Sequence, residues 1–335
     1  MKINAFAVRI VSVIIWADVI CEGYCCPEER IIKKMSESTP KYKIKGNESF
    51  AIREGWLSKG LAAVEENKYI FSEPNAMDSL GVGSKMVKSI KYWLIASHLA
   101  EEKREKNTKH YLAPTDYFGK IVNTYDPYFE DIFTWWIIHY YISSDISFNT
   151  VWYLFFNKFN VSDFSKSAMV DKLTDEFGKL YQKGSQLKNS IDSDCGVILK
   201  MYTSSGEAIT DPEENLSSPL SELDLISRGN ERGNYIKTKP SYNKLDRLAV
   251  LFVIVANLAD GKRSVDIDTL LTQDNNIGKI FYLDRNMIND YLDRIRQDGL
   301  IQINRTAGLD MIYVSDDLTP VKILKLYYSQ SETEV

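Results

Sequence analysis

A mainly α protein, with an N-terminal winged helix-turn-helix, a helical middle domain and a C-terminal winged-helix domain, is the fold class that the sequence predicts. Three observations predict it. Apolar residues recur at helical spacing in most segments, two stretches follow the order helix, short helix, longer helix, hairpin, and the middle of the chain is dense in aromatic residues. At 335 residues, 44% hydrophobic and 26% charged, the chain can bury two or three ordinary globular cores.

Residues 1–34 contain AFAVRIVSVIIWADVI, which Arg9 and Asp18 interrupt, so it lacks the run of about 20 apolar residues that a membrane span needs. No clean small-residue cleavage site follows it. Residues 1–34 are therefore expected to lie outside the fold, with translation starting at Met35 before the polar SESTP run. The winged helix-turn-helix is expected over 35–124. In FAIREGWLSKGLAAVEEN (50–67), Ile52, Trp56, Leu57, Leu61 and Val64 fall on one helix face. NAMDSL (75–80) stops at Gly81, a residue suited to a left-handed helix end. Ser84 is placed to cap a helix from about Gly83 to His98, with Met86, Val87, Ile90 and Leu94 inward and Lys85, Lys88 and Lys91 off that stripe. EEKREKNTK (101–109) reads as a solvated connection, and Pro114 and Gly119 in YLAPTDYFGKIV suggest a small hairpin.

A helical domain with an acidic segment is expected over 125–230. IFTWWIIHYYI follows DPYFED (126–131), with Asp126 or Thr134 as cap, and further helices are expected at 151–159 and from Ser165 to about Lys183. Trp135, Trp136, Tyr140, Tyr141, Trp152, Tyr153, Phe155 and Phe156 are read as core. Between Asp192 and Asn230, eight acidic residues stand against Lys200 and Arg228, a local balance of -6. That segment leaves room for a basic patch elsewhere within the net charge of -5. Gly-rich RGNERGNYIKTKPS marks a boundary near 229–241. The last domain, 241–320, repeats the first: LDRLAVLFVIVANLAD, then VDIDTLLTQ, then a helix capped by Asp284 with Met287, Ile288, Tyr291, Leu292 and Ile295 inward. LIQINR and MIYVSD alternate as strands, with Thr306 to Asp310 at the wing tip.

A helix entering the major groove needs small or polar residues near its start and cations for phosphate. Ser84, Lys85, Lys88, Ser89 and Lys91 fit that need, with Arg53 and Lys59 as further phosphate contacts. A solvated structural face is the competing reading. In the last domain Arg285, Asn289, Arg294 and Arg296 of the third helix, with Arg305, are the DNA-binding candidates, but Asp290, Asp293 and Asp298 compete with them, which favours a structural role or partner docking there. Cys21, Cys25, Cys26 and Cys195 supply neither a disulfide framework nor paired zinc ligands, and a reducing cytoplasm is expected. His98, His110 and His139 are too scattered for a metal motif, and no nucleotide loop or serine nucleophile motif is present. Asp126, Glu130 and Asp131 form the densest carboxylate group near a histidine. They are the catalytic candidates for metal-dependent phosphodiester cleavage, holding magnesium or manganese while His139 assists proton transfer. Helix-entry roles for the carboxylates and a core role for the histidine compete with that assignment.

Several blocks, SFAIREGWLSKG (49–60), LGVGSKMVKSIKYWL (80–94), DPYFED with Trp135 and His139, and RTAGL (305–309), resemble the SspB-like family of bacterial DNA phosphorothioation gene clusters. The resemblance covers about residues 48–315. It implies a part in DNA phosphorothioate modification and antiviral defence, as a DNA-nicking component. The implied partners are a cysteine desulfurase, an ATP-using sulfurtransferase-like protein and an ATPase, and no residue role comes with it. Three functions are therefore open: a metal-dependent DNA nickase, a non-enzymatic winged-helix DNA-binding regulator, and an adaptor for other modification proteins.

Overall fold

The computed structural model describes residues 41–105, 110–182, 184–204, 217–259, 261–306 and 309–331; the expectations for residues 1–34 and for a start at Met35 lie outside them. Trp56, Leu57, Leu61 and Val64 line the buried side of α1 (Trp56–Glu66), as the spacing predicts, with Gly60 among them, while Ile52 is buried ahead of the helix and not on it. Gly60 is required by close approach: a Cβ there would stand 2.7 Å from Ile90 Cγ2. The next helix, α2 (Ala76–Leu80), ends at Gly81 with φ 65°, and α3 (Ser84–Ala96) follows. Gly83, not Ser84, holds the cap position, without a side-chain bond. The hairpin also differs from expectation. It pairs β1 (Ala100–Arg104) with β2 (His110–Pro114), so the charged EEKR run is a strand. Gly119 lies instead in α4 (Phe118–Tyr125), where a Cβ would stand 2.0 Å from the Leu99 carbonyl oxygen.

The middle region is helical, with α5 (Ile132–Ser144), α6 (Thr150–Asn157), α7 (Lys166–Tyr181) and α8 (Lys188–Tyr202). Every residue of α5 from Phe133 to Ser143 is buried, as expected of a helix apolar on all sides. Neither Asp126 nor Thr134 caps it; Asp131 does, accepting the Phe133 N–H at 2.8 Å. The first residues of the acidic segment belong to α8, which buries Ile191, Cys195, Ile198 and Tyr202. The expected boundary at 229–241 carries a strand. Here β3 (Asp163–Ser165), β4 (Ile226–Arg228) and β5 (Asn234–Lys237) form an antiparallel sheet with β5 in the centre. Lys237 on that strand is buried and donates to the carbonyls of Phe155 at 2.9 Å and Phe159 at 2.6 Å, which lie at the end of α6 and just beyond it. Burial lowers its pKa to about 7.

In the last region Asp246, Asp266 and Asp284 cap α9 (Arg247–Ala256), α10 (Ile267–Thr272) and α12 (Arg285–Gln297) through the N–H groups of Leu248, Thr269 and Met287. Between α10 and α12 sits the short α11 (Ile277–Ile280). Strands β6 (Ser264–Asp266), β7 (Ile301–Thr306) and β8 (Leu309–Val314) pair in the order β6, β8, β7; the tip residues 307 and 308 lie outside the described residues. A further helix, α13 (Pro320–Ser331), extends past the expected limit of 320.

Among the described residues the result is a mainly helical structure with three small antiparallel sheets. One hydrophobic cluster runs from Ile52 to Tyr328 through all three regions. A small satellite of Ala76, Leu80 and Val87 seats α2 on the start of α3. No helix among the described residues is long and apolar enough to cross a membrane.

Candidate functional site

The outward side of α3 begins at its open N-terminal end. Gly81, Gly83, Ser84, Lys85 and Lys88 are exposed there, and among the described residues neither lysine has a carboxylate within ion-pair reach. Lys91, one turn on, pairs with Glu102 of β1 at 2.6 Å. Lys59 is exposed on α1, and the Arg53 guanidinium lies 5.5 Å from the Trp56 ring centre. Ser89 is a correction to the expected contact set. It is fully buried, because the other side of α3 packs into the middle region, so its hydroxyl faces protein and not solvent. That packing is specific. Tyr92 donates to Asn149 Oδ1 at 2.6 Å, and Trp93 donates to the Phe50 carbonyl at 3.1 Å and meets Trp152 edge-on.

One cation that the sequence reading missed belongs to this surface. The Lys43 ammonium lies 3.8 Å from the Phe148 ring centre and 4.9 Å from that of Tyr92. Burial lowers its pKa, Glu102 opposes that shift and Lys91 adds to it, so the ammonium is electrostatically coupled to the lysine stripe of α3. The alternating lysines at 41, 43 and 45 were the available signal.

The matching surface of the last region is neutralised within itself. Arg285 pairs with Asp268, Arg296 lies 3.4 Å from Asp293, and Arg305 lies 3.5 Å from Asp293 and 3.4 Å from Asn289 Oδ1. The Arg294 guanidinium covers the Tyr242 ring at 4.8 Å.

The catalytic candidates do not converge on an open site. Asp126 is 7% exposed and accepts from the N–H groups of Glu130 at 2.8 Å and Asp131 at 3.3 Å, and from the Thr134 hydroxyl at 2.6 Å. Burial raises its pKa against those bonds. Since Thr134 donates to Asp126, its oxygen is left to accept from Tyr328 of α13 at 2.7 Å. Asp131 caps α5 and accepts from Tyr327 at 3.0 Å, while Glu130 is exposed. His139 is fully buried between α8 and α11. A carbonyl can only accept, so Nε2 donates to the Ile280 oxygen at 2.8 Å and Nδ1 accepts from Tyr202 at 2.8 Å. Burial lowers its pKa to about 4, so the ring is neutral near pH 7.

These groups do not fit a bound divalent cation. Both Asp126 oxygens and Asp131 Oδ1 already serve as acceptors that close the DPYFED turn and start α5. Among the described residues no three His, Cys, Asp or Glu side chains are grouped to hold a metal ion.

A family model described as a protein of unknown function, DUF4007, matches residues 45–328. Two crystal structures share the fold. That of SspB is 21% identical over 88% of this chain and 89% of its own, with a TM-score of 0.76. That of magnesium-ion-bound SspB is 23% identical over 87% and 88%, with a TM-score of 0.74. No curated protein matches the chain.

Proposed function

The chain belongs to the DUF4007 family, and from the surface of α3 we propose that it binds duplex DNA, with α1, α2, α3 and the β1–β2 hairpin acting as a winged helix-turn-helix. One observation carries the reading. Lys85 and Lys88 stand exposed at the open end of a helix whose other side is fixed in a core, and the protein supplies no carboxylate for them among its described residues. Cations left this way are available to phosphate, and their binding releases the counterions condensed on the duplex. Ser84 precedes them at the helix start, and Lys59 on α1 and Arg53 just before that helix supply further phosphate or base-edge contacts.

The resemblance of the motif blocks to SspB-like proteins supplies the setting: DNA phosphorothioation and antiviral defence in the cytoplasm, with this chain as the DNA-engaging part of a nicking activity. Strand cleavage is not assigned to Asp126, Asp131 and His139, whose polar atoms are engaged in holding α5, α8, α11 and α13 together. An adaptor role is the second reading, and the ion pairs on α12 favour it for the last region, as a face for the other modification proteins.

Fluorescence anisotropy of the full chain on labelled duplex, between 50 and 200 mM salt, tests the first reading. Affinity is expected to fall steeply with salt, by about tenfold or more over that range. Absence of binding, or binding indifferent to salt, overturns it in favour of the adaptor. A supercoiled-plasmid assay with magnesium or manganese then reads nicking. Activity that Glu130→Ala abolishes while the melting temperature stays unchanged would restore the DPYFED turn as a catalytic site.

A further inference from the structure

Lys41, Lys43 and Lys45 are all exposed, and they lie on a segment held in place throughout its length. Tyr181 of α7 donates to the Lys41 carbonyl at 3.3 Å, and Tyr42 meets Phe177 edge-on with ring centres 5.1 Å apart. The Lys43 N–H donates to Thr150 Oγ1 at 3.0 Å. Asp194 of α8, 2% exposed, accepts the Lys45 N–H at 2.9 Å on one oxygen and the Asn47 amide at 2.8 Å on the other. Asn47 in turn accepts the Ser49 N–H at 2.7 Å.

The backbone shows how firmly those bonds fix the path. Lys45, Glu48 and Ser49 have φ of 60°, 52° and 66°, a region that L residues occupy only when their surroundings hold them there. Between them Gly46 lies against α3 so closely that a Cβ would stand 2.3 Å from Tyr92 Cε2. The segment therefore crosses α3 at Tyr92, with the Lys43 ammonium set over the Tyr92 and Phe148 rings.

We propose that residues 41–49 are a pre-formed basic arm, whose three lysines extend the phosphate-contacting surface of α3 onto the adjoining helical region. This rests on the DNA-binding reading of α3. Charge selects the occupant. Glu102 of β1 is committed to Lys91, and Asp194 of α8 is buried accepting N–H bonds, while half-buried Glu48 is the single carboxylate of the arm itself. A polyanion longer than the reach of α3 meets lysines already in position, and no ordering of the arm is charged against binding.

Duplex binding by the full chain tests the arm. Lys41→Ala/Lys43→Ala/Lys45→Ala is expected to weaken affinity about tenfold or more near 0.15 M salt. The slope of log affinity against log salt should become shallower by up to about 2.7, at about 0.9 for each phosphate that is no longer neutralised. Arginine at the same three positions should stay within about twofold of wild type. Should loss of Lys43 lower the melting temperature, Lys41→Ala/Lys45→Ala gives the same reading with a slope change of up to about 1.8. Wild-type affinity and slope in both alanine variants, alongside weakened Lys85→Ala/Lys88→Ala, overturns the arm and leaves α3 standing. Loss of salt-sensitive binding in wild type itself overturns both.

Discussion

The N-terminal and C-terminal regions run through the same order of elements, helix, short helix or helices, longer helix and antiparallel hairpin, yet they carry charge in opposite ways. On α3 the exposed Lys85 and Lys88 find no carboxylate among the described residues; on α12 and its hairpin Arg285, Arg296 and Arg305 each find an aspartate. The backbones differ as well. Among the described residues the C-terminal hairpin alone gains a third strand, β6, paired along β8 from Ser264 to Asp266. Shared topology therefore does not imply a shared ligand. What separates the two faces is whether their cations are already satisfied.

Each region is joined to the middle helices by several buried contacts, and one joint on each side can be broken separately. Trp93 carries the first. It is fully buried, donates to Phe50 and packs on Trp152. Trp93→Ala is expected to cost about 3–5 kcal/mol, the largest effect here, seen as a fall in the denaturant midpoint. Unfolding should stay a single calorimetric transition, because one hydrophobic cluster spans both regions. Two separated transitions would instead make the regions independent units.

His139 carries the second joint, through Ile280 of α11. Its folded pKa of about 4 lies below the ordinary 6.5, so the unfolded chain binds the proton first. Its contribution is whole above pH 6.5 and is lost as pH falls from 6.5 to 4, by up to about 3 kcal/mol. Asp194, raised to about 6 by burial, acts with opposite sign in part of that window. The quantity to measure is therefore the difference in stability against pH between wild type and His139→Phe. Parallel curves for the two proteins would mean that the imidazole titrates normally.

How much of this was legible in the sequence follows from local physics. The strands β7 and β8 are legible because alternation of apolar and polar residues marks a half-buried strand, and α12 because Met287, Ile288, Tyr291, Leu292 and Ile295 recur at helical spacing. Strand β1 was missed because AEEKR is charged on both sides, with Ala100 as its one buried residue. Gly119 misled further, since it marks the contact of α4 with Leu99 and not a turn. The start of α8 was hidden by its aspartates, of which Asp194 is buried and holds the Lys45 loop. The lysine stripe of α3 was legible as a period. Its extension by Lys43 was not, because that depends on a tertiary contact with Phe148.

The comparison of faces makes its own prediction for binding. Lys85→Ala/Lys88→Ala removes two unpaired cations and is expected to weaken duplex affinity by about tenfold or more, with a salt slope shallower by up to about 1.8. Equal affinity for mutant and wild type would move the DNA surface off α3.

The smallest effect is expected from Arg285→Ala/Arg305→Ala. Before phosphate can use either guanidinium, Arg285 must leave Asp268 and Arg305 must leave Asp293 and Asn289, so much of the gain from a new contact is offset by the one given up. Exposed pairs of this kind contribute only about 0–1 kcal/mol to folding, so the variant should also melt near wild type. An affinity change below about threefold is the expected outcome in the same anisotropy assay. A loss as large as that of the α3 lysines would show that the ion pairs open on binding, and the two regions would then grip one duplex together. Asp268→Asn separates these cases: freeing Arg285 should strengthen binding if the C-terminal face meets DNA and leave it unchanged if that face meets protein.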